Sequence, residues 1–101
     1  MRPTHSAYPR VRVAVESLAA SAAPIRERLK YAALDLRSIE RELQGDAREL
    51  YLRIQARLGG AEAQRDEGAV AASVAVLEND EAVGVARDIF HLHDLVAGIT
   101  E

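Results

Sequence analysis

The sequence predicts an all-α fold, a small helical bundle of four to five helices with coiled-coil-like seams, which we expect to dimerise. Two long segments carry apolar residues at alternating spacings of four and three, the period of a helix that buries one stripe. Leu, Ile, Val and Phe together number 26 of the 101 residues, more than a disordered chain carries. This length accommodates one domain, so we expect a loose arm over 1–9 and a single helical-bundle domain over 10–101.

The first apolar seam occupies the N-terminal half of the chain. Its members are Val11, Val15, Leu18, Ala22, Ile25, Leu29, Ala32, Leu36, Ile39 and Leu43. Pro24 interrupts a helix here because it lacks an N–H, and Ser21 is a candidate N-cap for a helix that starts anew. The spacing therefore predicts a short helix over 10–20 and a long helix over 22–44. The alternation over 10–15 also fits a strand, but a lone strand would have nothing to pair with.

A second helix boundary is expected at Gly45. This glycine can end one helix, Asp46 can cap the next, and Glu49 completes the pattern of a capping box. Apolar residues then continue at helical spacing as far as Leu58, before two glycines at 59–60. In the alternative, the long helix runs on through Gly45, because an interior glycine costs only about 1 kcal/mol.

The last third of the chain predicts two more helices. Residues 61–68 are polar and read as a connection, whereas 69–77 are small and apolar nearly all round, as in a buried helix or, alternatively, a central strand. Asn79, Asp80 and Glu81 then form a helix start. The second apolar seam follows it and consists of Ala82, Val85, Ile89, Leu92, Val96 and Ile99.

Composition excludes several classes of function. The chain has no cysteine, which excludes disulfide scaffolds, thiol nucleophiles, zinc fingers and iron–sulfur sites. There is no phosphate loop or dinucleotide fingerprint, and four aromatic residues are too few for a nucleobase or flavin pocket, so no cofactor is expected. No run of 18 apolar residues occurs and the basic N-terminus has no apolar stretch, so we expect a bacterial-type cytoplasmic protein without membrane contact.

Charge is divided unevenly between the two parts of the chain. Residues 1–65 carry a net charge of +4, and residues 66–101 carry −7. On one long helix, four basic side chains would lie within about 60° of one another and form a basic row: Arg26, Lys30, Arg37 and Arg41. Such a row predicts an anionic partner, which is either the acidic half, a second copy, or a nucleic-acid backbone. The overall acidity and the few aromatic residues nearby favour protein over nucleic acid.

Residues 87–94 hold the only candidates for chemistry. Asp88 and His91 lie one turn apart and suit a divalent transition metal, although such sites usually need more ligands. Arg87 and His93 are similar to the Arg-x(4–6)-His motif of HEPN-domain ribonucleases, which are small dimeric helical bundles. That resemblance implies that Arg87 would hold the scissile phosphate of RNA and that His93 would act in acid–base chemistry. The favoured interpretation is that these are ordinary helix residues.

The sequence therefore predicts a non-enzymatic protein–protein interaction protein, an adaptor or regulator that acts as a homo-oligomer. We expect its partner-binding residues to lie on the two seams: Leu29, Leu36, Ile39 and Leu43 on the first, and Val85, Ile89, Leu92 and Val96 on the second. Some of these must belong to the intramolecular core, and periodicity does not distinguish the two roles. The alternative is a nucleic-acid-directed protein, which binds through the basic row or cleaves through Arg87 and His93.

Overall fold

The computed structural model describes residues 7–20, 22–37, 39–58 and 67–100, and over these ranges the only regular structure is helical. The helices are α1 (Ala7–Ala20), α2 (Ile25–Asp35), α3 (Gly45–Arg57), α4 (Glu67–Ala75) and α5 (Asn79–Thr100), with a 3₁₀ turn at Glu40–Glu42. The predicted all-α class is confirmed. The strand alternatives for 10–15 and 69–77 are wrong, because both segments are helical.

Helix α5, the longest, organises the bundle. It packs against α1, α2 and α3, and α2 in turn packs against α1 and α4. The buried side chains of all five helices form one cluster between them. Over the part of the chain that the structure describes, each helix is too short or too polar to cross a lipid bilayer.

The N-terminal helix begins earlier than the spacing predicts. It starts at Ala7, three residues before the expected boundary, and both Ala7 and Val11 are fully buried. The remainder of the expected arm, 1–6, and the candidate cap Ser21 lie outside the described residues. Helix α2 starts directly after Pro24, whose carbonyl accepts the first helical hydrogen bond from the Arg28 N–H at 3.0 Å. Helix α2 therefore starts three residues later than predicted, and Pro24 is its N-cap instead of lying in its first turn.

The long helix over 22–44 is wrong, because α2 ends at Asp35. Side chains from other helices bind the carbonyls exposed there: the Tyr51 hydroxyl donates to the Leu36 carbonyl at 2.9 Å, and Arg10 donates to those of Asp35 and Arg37. These bonds replace the helical partners that the last carbonyls of α2 lack. The chain then turns over the core, and the seam residues that follow are still buried.

Gly45 is the first residue of α3 and does not end a helix as predicted; because α2 already ends at Asp35, the alternative of a continuous helix is also wrong. Its φ is +59°, in the left-handed region that favours glycine. The N-cap lies two residues before the predicted Asp46: Gln44 takes that position without a side-chain cap bond, and Asp46 lies within the first turn of α3. Asp46 therefore acts through its charge near the helix N-terminus, where a carboxylate is favourable.

Both predicted C-terminal helices are present. In α4, Val70 and Val74 are buried while Ala72 and Ala75 are exposed, so the expectation of a helix buried all round is wrong. Helix α5 starts at Asn79 as predicted. The Glu81 carboxylate accepts a hydrogen bond from the Glu78 N–H at 3.0 Å, which is half of a capping box.

Candidate interaction surface

The eight residues that the sequence assigns to partner binding lie in the core of a single chain. They are Leu29, Leu36, Ile39, Leu43, Val85, Ile89, Leu92 and Val96, and none is more than 2% exposed. Side chains buried to this degree offer no surface to another molecule while the chain stays folded. A partner of the folded chain must therefore contact other residues.

The basic row does not form, because the helix that would carry it ends at Asp35. Arg26 and Lys30 lie on α2, Arg37 in the turn after it, and Arg41 in the 3₁₀ turn. The Arg26 guanidinium donates to the Leu77 carbonyl at 2.6 Å, and the Lys30 ammonium lies 5.1 Å from the centroid of the neighbouring Tyr31 ring. The predicted anion-binding face of one continuous helix is therefore wrong.

Other arginines also bind within the chain. Arg28 donates to the carbonyls of Leu18 and Ala23, at 2.6 Å and 2.8 Å, where α1 ends. The ion pairs among the described residues are Arg12–Glu16 and Arg48–Glu40, both within the basic half. His93 contacts the adjacent Asp94 in the acidic half. Between the two halves, Arg26 and Arg57 donate to the backbone carbonyls of Leu77 and Glu81.

Arg87 and His93 lie on different sides of α5. Six residues along a helix correspond to a rotation of about 120°, and the structure shows the consequence. Arg87 is exposed, whereas His93 is half-buried against Tyr8 of α1, with 5.6 Å between the ring centroids. One chain therefore does not bring the two together.

Asp88 and His91 also differ in environment. Asp88 is half-buried, whereas His91 is exposed at a shallow groove of about 220 Å³ between α3 and α5. The groove is lined by Asp46, Glu49, Leu50, Arg53, His91 and Leu95. Among the described residues, no three or more side chains are grouped so as to hold a metal ion. A metal at Asp88 and His91 therefore stays a prediction.

A second groove, of about 290 Å³, lies between α1 and the end of α2. Its lining residues are Pro9, Arg10, Val13, Leu34 and Asp35. Ser17 Oγ donates to Asp35 Oδ2 at 3.2 Å. Burial raises the pKa of the Asp35 carboxyl, although the Ser17 hydrogen bond and the nearby Arg10 charge both oppose the shift. These contacts tie α1 to α2, and we assign the groove a structural role.

The remaining candidate is a surface of α5 that we call the outward face. It consists of Val83, Arg87, Phe90 and Asp94, which lie within about 60° of one another on the helix. Val83 is 39% exposed and Phe90 42%, and the Asp94 side chain is 81% exposed. Phe90 is the only phenylalanine in the chain. A helix face that exposes two large apolar side chains, one of them between two opposite charges, has the composition of a contact surface.

The other large apolar side chains that are exposed in the described ranges lie one to an element. They are Val13 on α1, Tyr31 on α2, Leu52 on α3 and Val76 in the turn before α5. Single exposed apolar residues are common on proteins and need no function. The outward face of α5 is different because two such residues share one helix face, two turns apart.

The apolar spacing in the sequence does not predict the outward face. Its residues are spaced by four, three and four, like the buried seam beside them, but two of the four are charged. The signal that was available is the position of Phe90, which lies on the opposite side of the helix from the second seam. Comparison with protein-family models, curated proteins and solved structures finds no match to this chain.

Proposed function

We propose that this chain is a small non-enzymatic protein–protein interaction protein, an adaptor or regulator, whose partner binds the outward face of α5. The observation that carries the proposal is the exposure of Phe90. Aromatic residues are enriched in interfaces and among the residues that dominate binding energy. Covering the exposed part of Phe90 with a partner is worth about 1 kcal/mol from apolar area alone.

Charge supports the same surface. Arg87 and Asp94 flank Phe90 and can select a partner of complementary charge, while the apolar side chains supply the burial. Nucleic-acid binding through the basic row has less support, because Arg26 already binds a carbonyl and both Arg37 and Arg41 lie beyond the end of α2. We place this activity in the cytoplasm, as the sequence predicts.

The proposal is tested by photo-crosslinking inside the native host cell. A photoreactive phenylalanine analogue replaces Phe90 in one variant and Leu52 in the control, which is almost equally exposed, at 40%, but lies on α3. We expect discrete protein adducts from position 90 and none from position 52. The proposal is contradicted if position 90 yields no protein adduct, or if it crosslinks to nucleic acid.

A further inference from the structure

The charges on the outward face of α5 have no partners on that face. Arg87 precedes Phe90 by three residues and Asp94 follows it by four. Seven residues along one helix separate these two by about 10 Å, too far for them to pair. Arg87 forms no ion pair with any described residue, and Asp94 Oδ1 lies 3.6 Å from Nδ1 of the adjacent His93.

A second α5 helix laid antiparallel across the first supplies both missing partners. Reversal about the midpoint between Phe90 and His91 places Arg87 opposite Asp94 of the partner subunit, and Asp94 opposite Arg87 of the partner subunit. The same operation leaves the two Phe90 residues offset by only about 1.5 Å along the helix direction, so their rings meet beside the axis. Building on the proposed function, we infer that the protein which covers this face is a second copy of the chain, related by two-fold symmetry, with α5 paired antiparallel.

Charge also fixes the direction of the pairing. Parallel helices in register would place Arg87 against Arg87 of the partner subunit and Asp94 against Asp94 of the partner subunit, and like charges in an interface are strongly unfavourable. The antiparallel arrangement replaces both repulsions by ion pairs. It is also a closed arrangement, because each copy uses the same surface.

The dimer is weak. One face of a 22-residue helix is about 33 Å long and about 10 Å wide. Its area is therefore well below the roughly 800 Å² per partner that stable interfaces bury. We expect dissociation in the micromolar range and a loss of dimer at high salt, since the ion pairs lie at an exposed rim.

Charge reversal tests the pairing. Arg87→Asp and Asp94→Arg are each prepared alone, and native mass spectrometry at low salt measures dimer formation by each variant and by their equimolar mixture. Each variant alone places like charges together and should dimerise about tenfold more weakly than the original chain. In the mixture, every pair is opposite in charge, so the heterodimer should form as readily as the original homodimer. Arg12→Asp, an exposed reversal on α1, should leave dimerisation unchanged.

The inference is overturned if Arg87→Asp alone dimerises like the original chain, or if the mixture gives no heterodimer. Circular dichroism of each variant verifies that the helices are intact, as expected for substitutions at exposed positions. A monomeric chain whose position 90 crosslinks to a different protein would overturn the second-copy inference while the proposed function stands. A dimer that ignores both charge reversals would overturn the antiparallel pairing alone.

Discussion

Arginine side chains bind backbone carbonyls at or just beyond the ends of helices in this protein. Arg28 binds carbonyls at the end of α1, Arg10 binds those at the end of α2, and Arg26 binds the Leu77 carbonyl beyond α4. The last carbonyls of a helix have no partner within it, and a guanidinium can reach two of them because it carries several donors in a plane. The abundance of arginine in the N-terminal half therefore has a structural cause that does not require an anionic ligand.

Replacing Arg28 by lysine should destabilise the fold by about 1–2 kcal/mol, because one ammonium group cannot reproduce both charge-assisted hydrogen bonds. Arg12→Lys is the matched control. Its exposed pair with Glu16 contributes little, so the change should stay within about 0.5 kcal/mol. Urea unfolding followed by circular dichroism measures both. Equal stability losses in the two variants would contradict the role of Arg28.

Asp35 should make stability depend on pH. Its carboxyl has a pKa above the ordinary 3.8 because burial disfavours the charged form. The folded state therefore holds the proton more tightly than the unfolded state. The resulting stabilisation is complete below pH 3.8 and is lost as the pH rises through the folded pKa.

Asp35→Asn should therefore melt at a higher temperature than the original chain at neutral pH, since the amide is neutral and still accepts from Ser17. The advantage should shrink as the pH falls towards 3.8. Thermal melts across this range measure the difference. A variant that is less stable at neutral pH, or a difference independent of pH, would show that burial is not the dominant influence on this carboxyl.

Among the elements, the link between α2 and α3 depends on one glycine. Gly45 has a positive φ, at +59°, which costs a residue with a Cβ about 1–2 kcal/mol. Gly45→Ala should therefore lower stability by about 1 kcal/mol. Gly98→Ala is the opposite control: this glycine lies in α5 with nothing near the added Cβ, so alanine should raise stability by about 0.5–1 kcal/mol. Chemical denaturation measures the free energy of unfolding of both variants. A Gly45→Ala variant that is more stable than the original chain would contradict the role of Gly45.

Residues near a helix boundary predict some of the boundaries in this fold and fail to predict others. The start of α5 follows from the polar residues at 79–81, whereas α2 starts after Pro24, three residues beyond the predicted start at 22. The end of α2 does not follow from neighbouring residues, because Tyr51 of α3 and Arg10 of α1 bind its last carbonyls. A spacing of four and three persists from Leu36 to Leu43 although no single helix contains it. The apolar spacing therefore predicts which residues are buried, but burial alone does not determine that they form a helix.

The same distinction governs the candidate site. Most residues of the apolar seams are buried as predicted, although Ala22 is exposed and both Val15 and Ile25 are half-buried. The spacing does not determine whether a second helix of the same chain or another molecule covers the buried ones. In the folded chain the bundle itself covers them, and α5 is left with an exposed face elsewhere. Phe90 was therefore passed over while Ile89 beside it was assigned to a partner.

At the scale of the whole molecule, a bundle of this size keeps its two seams for its own core and presents the outward face of α5 to solvent. Because small domains bury only a modest fraction of their surface on folding, covering the outward face in a dimer also stabilises the folded chain. Because a dimer is favoured by mass action, the melting temperature should rise with protein concentration in the original chain. Phe90→Glu should abolish that dependence, since it places a charge at the proposed axis.

Sedimentation equilibrium of the untagged protein across the micromolar range tests the central claim most directly. The account predicts a concentration-dependent mass that approaches about 22 kDa, twice the 11.0 kDa of the chain. Phe90→Glu should stay at the mass of the monomer, while Leu52→Glu, which changes an equally exposed residue on α3, should behave like the original chain. A mass of 11.0 kDa at every concentration, or a dimer that survives Phe90→Glu, would contradict it.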